Sequence, residues 1–168
     1  MDIDISRADA RQNEWFIFDI DGTLADCSHR LHHIRDVVNG KKLPSKKQDW
    51  DAFNADMKFD IPFDDVLRMN AMCVSLGYNI CLMTGRKFAY LSETTKWMHD
   101  YGIGFDQIYM RSSNDHRSDV EVKQELYGQF RRDNPDAYVC GVFEDRTRVV
   151  RLWRSLGLTC YQVKEGDY

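Results

Sequence analysis

The stretch Phe16-Ile17-Phe18-Asp19-Ile20-Asp21-Gly22-Thr23-Leu24 constrains this chain more than any other. An apolar run leads into two carboxylates at i and i+2, and a glycine ends it. A strand buried on both faces reads this way when its carboxyl end opens onto a site. Two aspartates in a nearly dry pocket are costly unless something pairs with them, and a divalent cation is the usual partner. Asp-Gly is also a common turn dipeptide, and Asp-x-Asp-Gly can begin a calcium loop. That loop needs further oxygen ligands at alternate positions. Thr23, Leu24 and Ala25 stand there instead, so the calcium reading fails.

The rest of the chain alternates between strand-like and helix-like segments. Strands are expected over residues 15–20, 78–83, 106–110, 138–143 and 158–162, and helices over 63–76, 89–101, 119–130 and 147–156. Phe63, Val66, Leu67, Ala71 and Val74 carry the helical spacing of the first of these, and Gly77 closes it. This alternation predicts an α/β fold, a parallel sheet flanked by helices on both faces. Residues 26–62 are polar and irregular, with helical pieces expected at 29–38 and 48–57, and read as a small helical insertion after the first strand. Residues 1–13 are polar and expected to be flexible. At 168 residues the expectation is one domain, 1–168, with no large cap domain.

Composition narrows the class. No apolar run approaches the ~20 residues of a membrane span, and Met1-Asp2-Ile3-Asp4 is not the start of a signal peptide. The five cysteines form no Cys-x-x-Cys pair, and most sit in apolar contexts, which suits reduced thiols in a cytoplasmic protein. A net charge of −4 argues against a large nucleic-acid footprint but not against binding one nucleotide or a strand end.

Four places at strand or helix ends carry the chemistry. They are Asp19-Ile20-Asp21, then Thr84-Gly85-Arg86, then Asp119 to Lys123, and finally Glu144-Asp145. Singly, most are weak. Thr-Gly-Arg is more often a surface turn, a helical lysine is usually solvated, and an acidic pair after a strand is commonly an N-cap. In this order, at carboxyl ends of strands where open α/β sheets place their sites, they reinforce one another.

The set resembles the haloacid dehalogenase (HAD) superfamily of phosphotransferases. More narrowly, about residues 15–168 resemble the 3′-phosphatase domain of bacteriophage-type polynucleotide kinase/phosphatase. The narrower resemblance rests on Arg30, eleven residues after Asp19, on Arg86, on Asp119-Val120-Glu121-Val122-Lys123, and on the tail from Arg146 through Gly166-Asp167. It implies a HAD-like Rossmannoid fold and an enzyme that hydrolyses phosphomonoesters with Mg²⁺. Asp19 is then the nucleophile that forms an aspartyl-phosphate, and Asp21 the acid/base. Thr84 and Gly85 bind phosphoryl oxygens, and Lys123 neutralises nucleophile and phosphate. Arg30 and Arg86 bind the substrate phosphate, Asp119 steadies an active-site arginine, and Asp19, Asp21, Glu144 and Asp145 serve the metal.

Two departures accompany the resemblance. No Gly-x-x-x-x-Gly-Lys-Ser/Thr occurs, so no kinase domain is expected. Glu144 stands where Asp is more usual, so it is expected either to reach the metal through water or to pair with Lys123.

The leading substrate is a 3′-phosphate on a nucleic-acid end or a nucleotide. The alternatives are a nucleoside 5′-monophosphatase and a non-catalytic nucleotide-binding module; an intact nucleophile speaks against the second. The sequence leaves oligomeric state and DNA versus RNA open. His29, His32 and His33 read as a half-exposed helix before a metal site. Trp50 and Phe53, at i and i+3, read as pinning the insertion, with base stacking at the site mouth as the rival. Trp97 and Trp153 read as core, and Arg131-Arg132 as a helix-end feature.

Overall fold

A computed structural model describes residues 11–34, 37–38, 41–42 and 48–166. Its centre is β1 (Glu14–Phe18). After it come β2 (Ala25–Asp26), a 3₁₀ turn Ser28–His33, β3 (Val37–Val38), β4 (Lys41–Lys42), α1 (Trp50–Ala55) and a second 3₁₀ turn Asp56–Phe59. Next are β5 (Ile61–Pro62), α2 (Asp64–Ser75), β6 (Asn79–Lys87), α3 (Leu91–Asp100) and β7 (Gln107–Arg111). The chain continues through α4 (Asp119–Asp133), β8 (Tyr138–Arg146), α5 (Thr147–Ser155) and β9 (Cys160–Gly166).

The main sheet has five strands in the order β7-β6-β1-β8-β9, and every pairing in it is parallel. The expected α/β architecture is therefore the observed one. Because strand side chains alternate, each strand feeds both faces. Ile17, Cys81, Met83 and Val142 pack with Val122, Phe130, Val150 and Trp153 of α4 and α5. Phe18, Ile80, Leu82 and Phe143 pack with Val66, Cys73, Trp97 and Met98 of α2 and α3. Trp97 and Trp153 are core, as their periodicity suggested.

Register positions the site. Phe18 is level with Leu82 on one side and Phe143 on the other. Asp19, Met83-Thr84 and Glu144 therefore emerge side by side at the carboxyl edge, and the Asp19 N–H still donates to Phe143 O at 3.0 Å.

Several boundaries differ from expectation. β6 and β8 run on through Thr84-Gly85-Arg86 and Glu144-Asp145-Arg146, because these segments keep pairing with β7 and β9 after a register shift. The helix expected over 29–38 is a 3₁₀ turn ending at His33, and Val37–Val38 pair antiparallel with Lys41–Lys42. β-branched valines followed in sequence by Asn-Gly favour a hairpin over a helix; Asn39 and Gly40 themselves lie outside the described residues. β2 and β5 pair antiparallel, clamping the two ends of the 26–62 segment together. Residues 1–10 of the expected flexible stretch are likewise outside the described residues. Arg11 to Asn13 are tied down: the Asn79 side-chain amide donates to Arg11 O and Gln12 O, and Arg11 donates to Leu76 O.

Candidate active site

α4 is started by a capping box, in which the Ser118 hydroxyl accepts from Glu121 N–H and the Glu121 carboxylate accepts from Ser118 N–H. Asp119 opens the first turn. Lys123 follows one turn later on the same helix face.

The Lys123 ammonium enters the core and spends all three donors. It donates to Asp19 Oδ1 at 2.5 Å, Met83 O at 2.5 Å and Glu144 Oε2 at 3.2 Å. Burial works against its charge, but Asp19 and Glu144 more than offset that and raise its pKa. Asp19 is pushed up to about 6, chiefly by burial, with Lys123 opposing and Glu144 and Asp21 adding repulsion. Glu144 also accepts from the Asp145 and Arg146 N–H groups at 3.2 and 3.3 Å and from Trp153 Nε1 at 3.4 Å. Of its two expected roles, the pairing with Lys123 is present.

Among the described residues, one group of carboxylates could share a cation: Asp19, Glu144 and Asp145, all buried, with ligand oxygens within 4.8 Å of one another. An all-oxygen anionic set suits a hard divalent ion such as Mg²⁺. Gly166, at the end of β9, closes over this group; a Cβ there would overlap the Asp145 carboxylate. The Asp21 carboxylate is not a member of this group.

Asp21 lies instead on a buried pair of arginines. Its Oδ1 accepts from Arg30 Nη2 at 2.5 Å and from Arg86 Nη2 at 2.6 Å. Burial disfavours its charge, yet the two guanidiniums together hold the carboxyl far below the usual carboxylate range. A second carboxylate, Asp60, braces the same pair. It accepts from Arg30 Nε at 2.7 Å, Arg30 Nη2 at 2.6 Å and Arg86 Nη2 at 2.9 Å, and it pairs with His29 Nε2 at 2.9 Å. The Asp60 carbonyl accepts from Trp97 Nε1 at 2.8 Å, which fixes the segment to α3. The Arg30 guanidinium also lies 4.0 Å over the Phe53 ring.

Asp60 was not recognised from sequence. Residues 26–62 hold several aspartates, and no local pattern marks one of them. The available signal is charge balance: two arginines buried beside Asp21 require a second anion.

Asp119 is the third hub. It binds Arg111 Nη2 at 2.5 Å, pairs closely with Arg146, and has Arg148 Nη2 at 3.6 Å. Arg111 in turn donates to Gly85 O at 3.0 Å and Arg117 O at 2.7 Å. A Cβ on Gly85 would sit 3.1 Å from Asp119 Oδ1, so a larger residue there would press on this hub. Arg111 was the second residue that sequence reading missed. Thr84 is fully buried, and its hydroxyl accepts from Arg86 N–H at 3.1 Å. Gly85 lines the cavity, whereas Thr84 does not.

A cavity of about 800 Å³ is lined by Asp19, Asp21, Arg86, Asp119, Lys123 and Glu144 of these hubs, whereas Arg30 and Asp60 are fully buried and do not line it. Acidic and basic side chains line it in equal number, and most are paired: Asp51 with Lys87, Asp115 with Arg117, and Asp119 with Arg111, Arg146 and Arg148. The histidines are spoken for: His33 pairs with Asp56 at 2.8 Å and His29 with Asp60, and among the described residues no candidate metal group includes them. No helix among the described residues is long and apolar enough to cross a membrane.

Residues 13–168 match the family model described as the polynucleotide kinase PNKP phosphatase domain. The chain belongs to this family. It is a HAD-type phosphatase domain, a hydrolase acting on phosphomonoesters. A relative named as a bifunctional polynucleotide kinase/RNA ligase, from Autographa californica nuclear polyhedrosis virus, is 26% identical over 139 residues, 82% of this chain and 17% of that protein. Among solved structures, Pnkp1 in the Pnkp1/Rnl/Hen1 RNA repair complex is 27% identical with a TM-score of 0.71, over 93% of this chain and 44% of that one. The phosphatase domain thus spans less than half the length of either relative. The class C acid phosphatase from Bacillus anthracis, at 19% identity and TM-score 0.58 over 86% of this chain and 59% of that one, shares the fold.

Proposed function

We propose that this phosphatase domain removes 3′-phosphates from nucleic-acid ends or nucleotides, with Mg²⁺, through an aspartyl-phosphate. The observation that carries the reading is the buried junction of Asp19, Lys123, Glu144 and Asp145 beside the Arg30–Arg86 pair, in a chain of this family. It joins a nucleophile, a cation-ready carboxylate set and two guanidiniums suited to phosphate oxygens.

When bound, Mg²⁺ at Asp19 and Asp145 supplies positive charge that lets an anionic nucleophile meet an anionic phosphate. The chain's own groups do the rest. Lys123 holds Asp19 ionised and aimed. Arg30 and Arg86 take the phosphate's oxygens, with Gly85 lining the cavity beside Arg86. An Asp19 oxygen attacks phosphorus as the bond from phosphorus to the leaving oxygen breaks, and Asp21 gives its proton to that oxygen. Asp21 then takes a proton from the water that attacks the aspartyl-phosphate, freeing inorganic phosphate and restoring Asp19. Asp21 can carry that proton because a phosphate dianion on Arg30 and Arg86 competes for the guanidiniums that otherwise hold its carboxyl ionised.

Residues 26–62 are read as an insertion within this one domain. The free, mostly buried cysteines suit a reducing compartment such as the cytoplasm. The deciding experiment measures phosphate release from 3′- and 5′-mononucleotides and 3′-phosphorylated oligonucleotides, with Mg²⁺ or with a chelator. Preference for 3′-phosphates and loss of activity on chelation are expected. A clear preference for 5′-monophosphates would favour the nucleotidase reading, for which the cavity's even balance of acidic and basic groups is the supporting observation.

A further inference from the structure

The cavity is far larger than a phosphate, and its lining includes groups the phosphate chemistry does not use. One is Trp50, 41% exposed although it is among the largest apolar side chains in the protein. It is built into the site: its ring meets Phe53 edge-on at 5.6 Å, and Phe53 lies beneath the Arg30 guanidinium at 4.0 Å. A continuous series therefore runs from the buried Arg30 through Phe53 to Trp50, and the last two line the cavity. The Trp50 indole N–H donates to Gln48 Oε1 at 3.2 Å, which restrains the ring. Arg148, its side chain 55% exposed, lines the same cavity, 3.6 Å from Asp119 Oδ2.

We propose that the mouth is a subsite for the terminal nucleotide, in which Trp50 stacks its base and Arg148 contacts its 5′-phosphate. The inference rests on the 3′-phosphatase reading and names the substrate feature that reading leaves open. Three physical points support it. An aromatic ring left half in water beside a site gains by stacking a base, whose π-face is available whatever the sequence. A guanidinium on the cavity wall suits a phosphodiester. Trp50 and Arg148 line one cavity with Asp19, Asp21 and Arg86, so a base on the ring and a phosphodiester on the guanidinium can belong to one bound nucleotide.

The consequence is a substrate order. A nucleoside 3′,5′-bisphosphate and a 3′-phosphorylated dinucleotide are to be hydrolysed alike, and both better than a nucleoside 3′-monophosphate, which lacks the 5′ anion. Further nucleotides are to add little, because the other basic groups outside the phosphate pocket are held in close ion pairs: Lys87 with Asp51, Arg117 with Asp115 and Glu125, and Arg111 and Arg146 with Asp119.

The test uses the full chain and compares kcat/KM on phenyl phosphate, a nucleoside 3′-monophosphate, the matching 3′,5′-bisphosphate, and a 3′-phosphorylated dinucleotide with and without its terminal base. Trp50→Ala is to lower the ratio of base-containing dinucleotide to phenyl phosphate about tenfold, mainly through KM, with Trp50→Phe recovering most of it. Removing the terminal base should mimic Trp50→Ala in the parent protein and add no further loss in the variant. Arg148→Ala is to abolish the advantage of the bisphosphate over the monophosphate and reduce the salt slope by about 0.7, the value of one contact to a single strand. Equal losses on phenyl phosphate and dinucleotide in either variant would mean that the residue only supports the fold, and would overturn the proposal for it. If the parent protein prefers 3′-phosphates but ranks mono- and bisphosphate equally, the subsite fails while the 3′-phosphatase reading stands. If it prefers 5′-phosphates, both fall.

Discussion

Replacing Asp60 is the most informative perturbation of the site, because Asp60 touches both arginines without belonging to any recognised motif. Its carboxylate is fully buried and accepts three bonds from Arg30 and Arg86, at 2.6–2.9 Å, and one from His29. Charge-assisted bonds of this kind contribute roughly 1.5–3 kcal/mol each, set against the cost of keeping the ions dry. Asp60→Ala leaves two buried guanidiniums sharing only Asp21. Breaking a buried pair from one side costs about 3–5 kcal/mol, which in a domain of this size is a fall in Tm of roughly 6–20 °C. Asp60→Asn keeps the volume but turns an amide N–H₂ or a weaker acceptor toward the arginines, so a smaller fall is expected. Both variants should also lose activity. The guanidiniums would swing toward Asp21, and misplacing a positioning group by about 1 Å costs on the order of 10²-fold in rate. Calorimetry and kcat/KM on a 3′-phosphorylated substrate, measured on the same preparations, check both halves. An Asp60→Asn protein with an unchanged Tm and unchanged kcat/KM would refute the idea that Asp60 braces the pair.

Other expectations follow from the same geometry. Asp19→Asn should retain the fold and lose several orders of magnitude in kcat, because an amide cannot form the acyl-phosphate; near-normal turnover would remove the covalent step. Gly166→Ala should weaken Mg²⁺ affinity at least tenfold, on the order of 1.4 kcal/mol, because the added methyl overlaps the Asp145 carboxylate; titration calorimetry with Mg²⁺ alone reads this directly. Mg²⁺ binding should depend on acidity. Asp19 is raised to about 6, so below that pH its carboxyl is protonated and must release the proton to bind the ion. Affinity should then fall up to tenfold per pH unit below about 6, with proton release in that window, and be level above it; a flat affinity from pH 5 to 8 would contradict the raised pKa.

Much of the site was legible because its information is local. An apolar strand that ends in Asp19-Ile20-Asp21, a strand that ends in Thr84-Gly85-Arg86, and Glu144-Asp145 before α5 each announce themselves through residue type and period. The rule that open parallel sheets open at their carboxyl ends brings them together. Lys123 was assigned by resemblance, and the structure places its ammonium between Asp19 and Glu144. Other features depend on long-range packing and leave no local trace. Nothing in sequence says that β1 is central, with β6 and β8 beside it, yet that order makes Asp19 the meeting point. Nothing distinguishes Asp60 from Asp49, Asp51 or Asp56, because its role comes from the β2–β5 clamp and the Trp97 bond that carry it beneath Arg30 and Arg86. The valines at 37–38 pair antiparallel with Lys41–Lys42 because strand partners, not helical period, satisfy their backbone. Sequence by itself determined which chemistry the strand ends could support, since that depends on residue type and chain period. Only the tertiary structure decided how the charges are divided, with Asp21 and Asp60 on the arginines and Asp19, Glu144 and Asp145 around Lys123, because buried charges choose partners by distance in space.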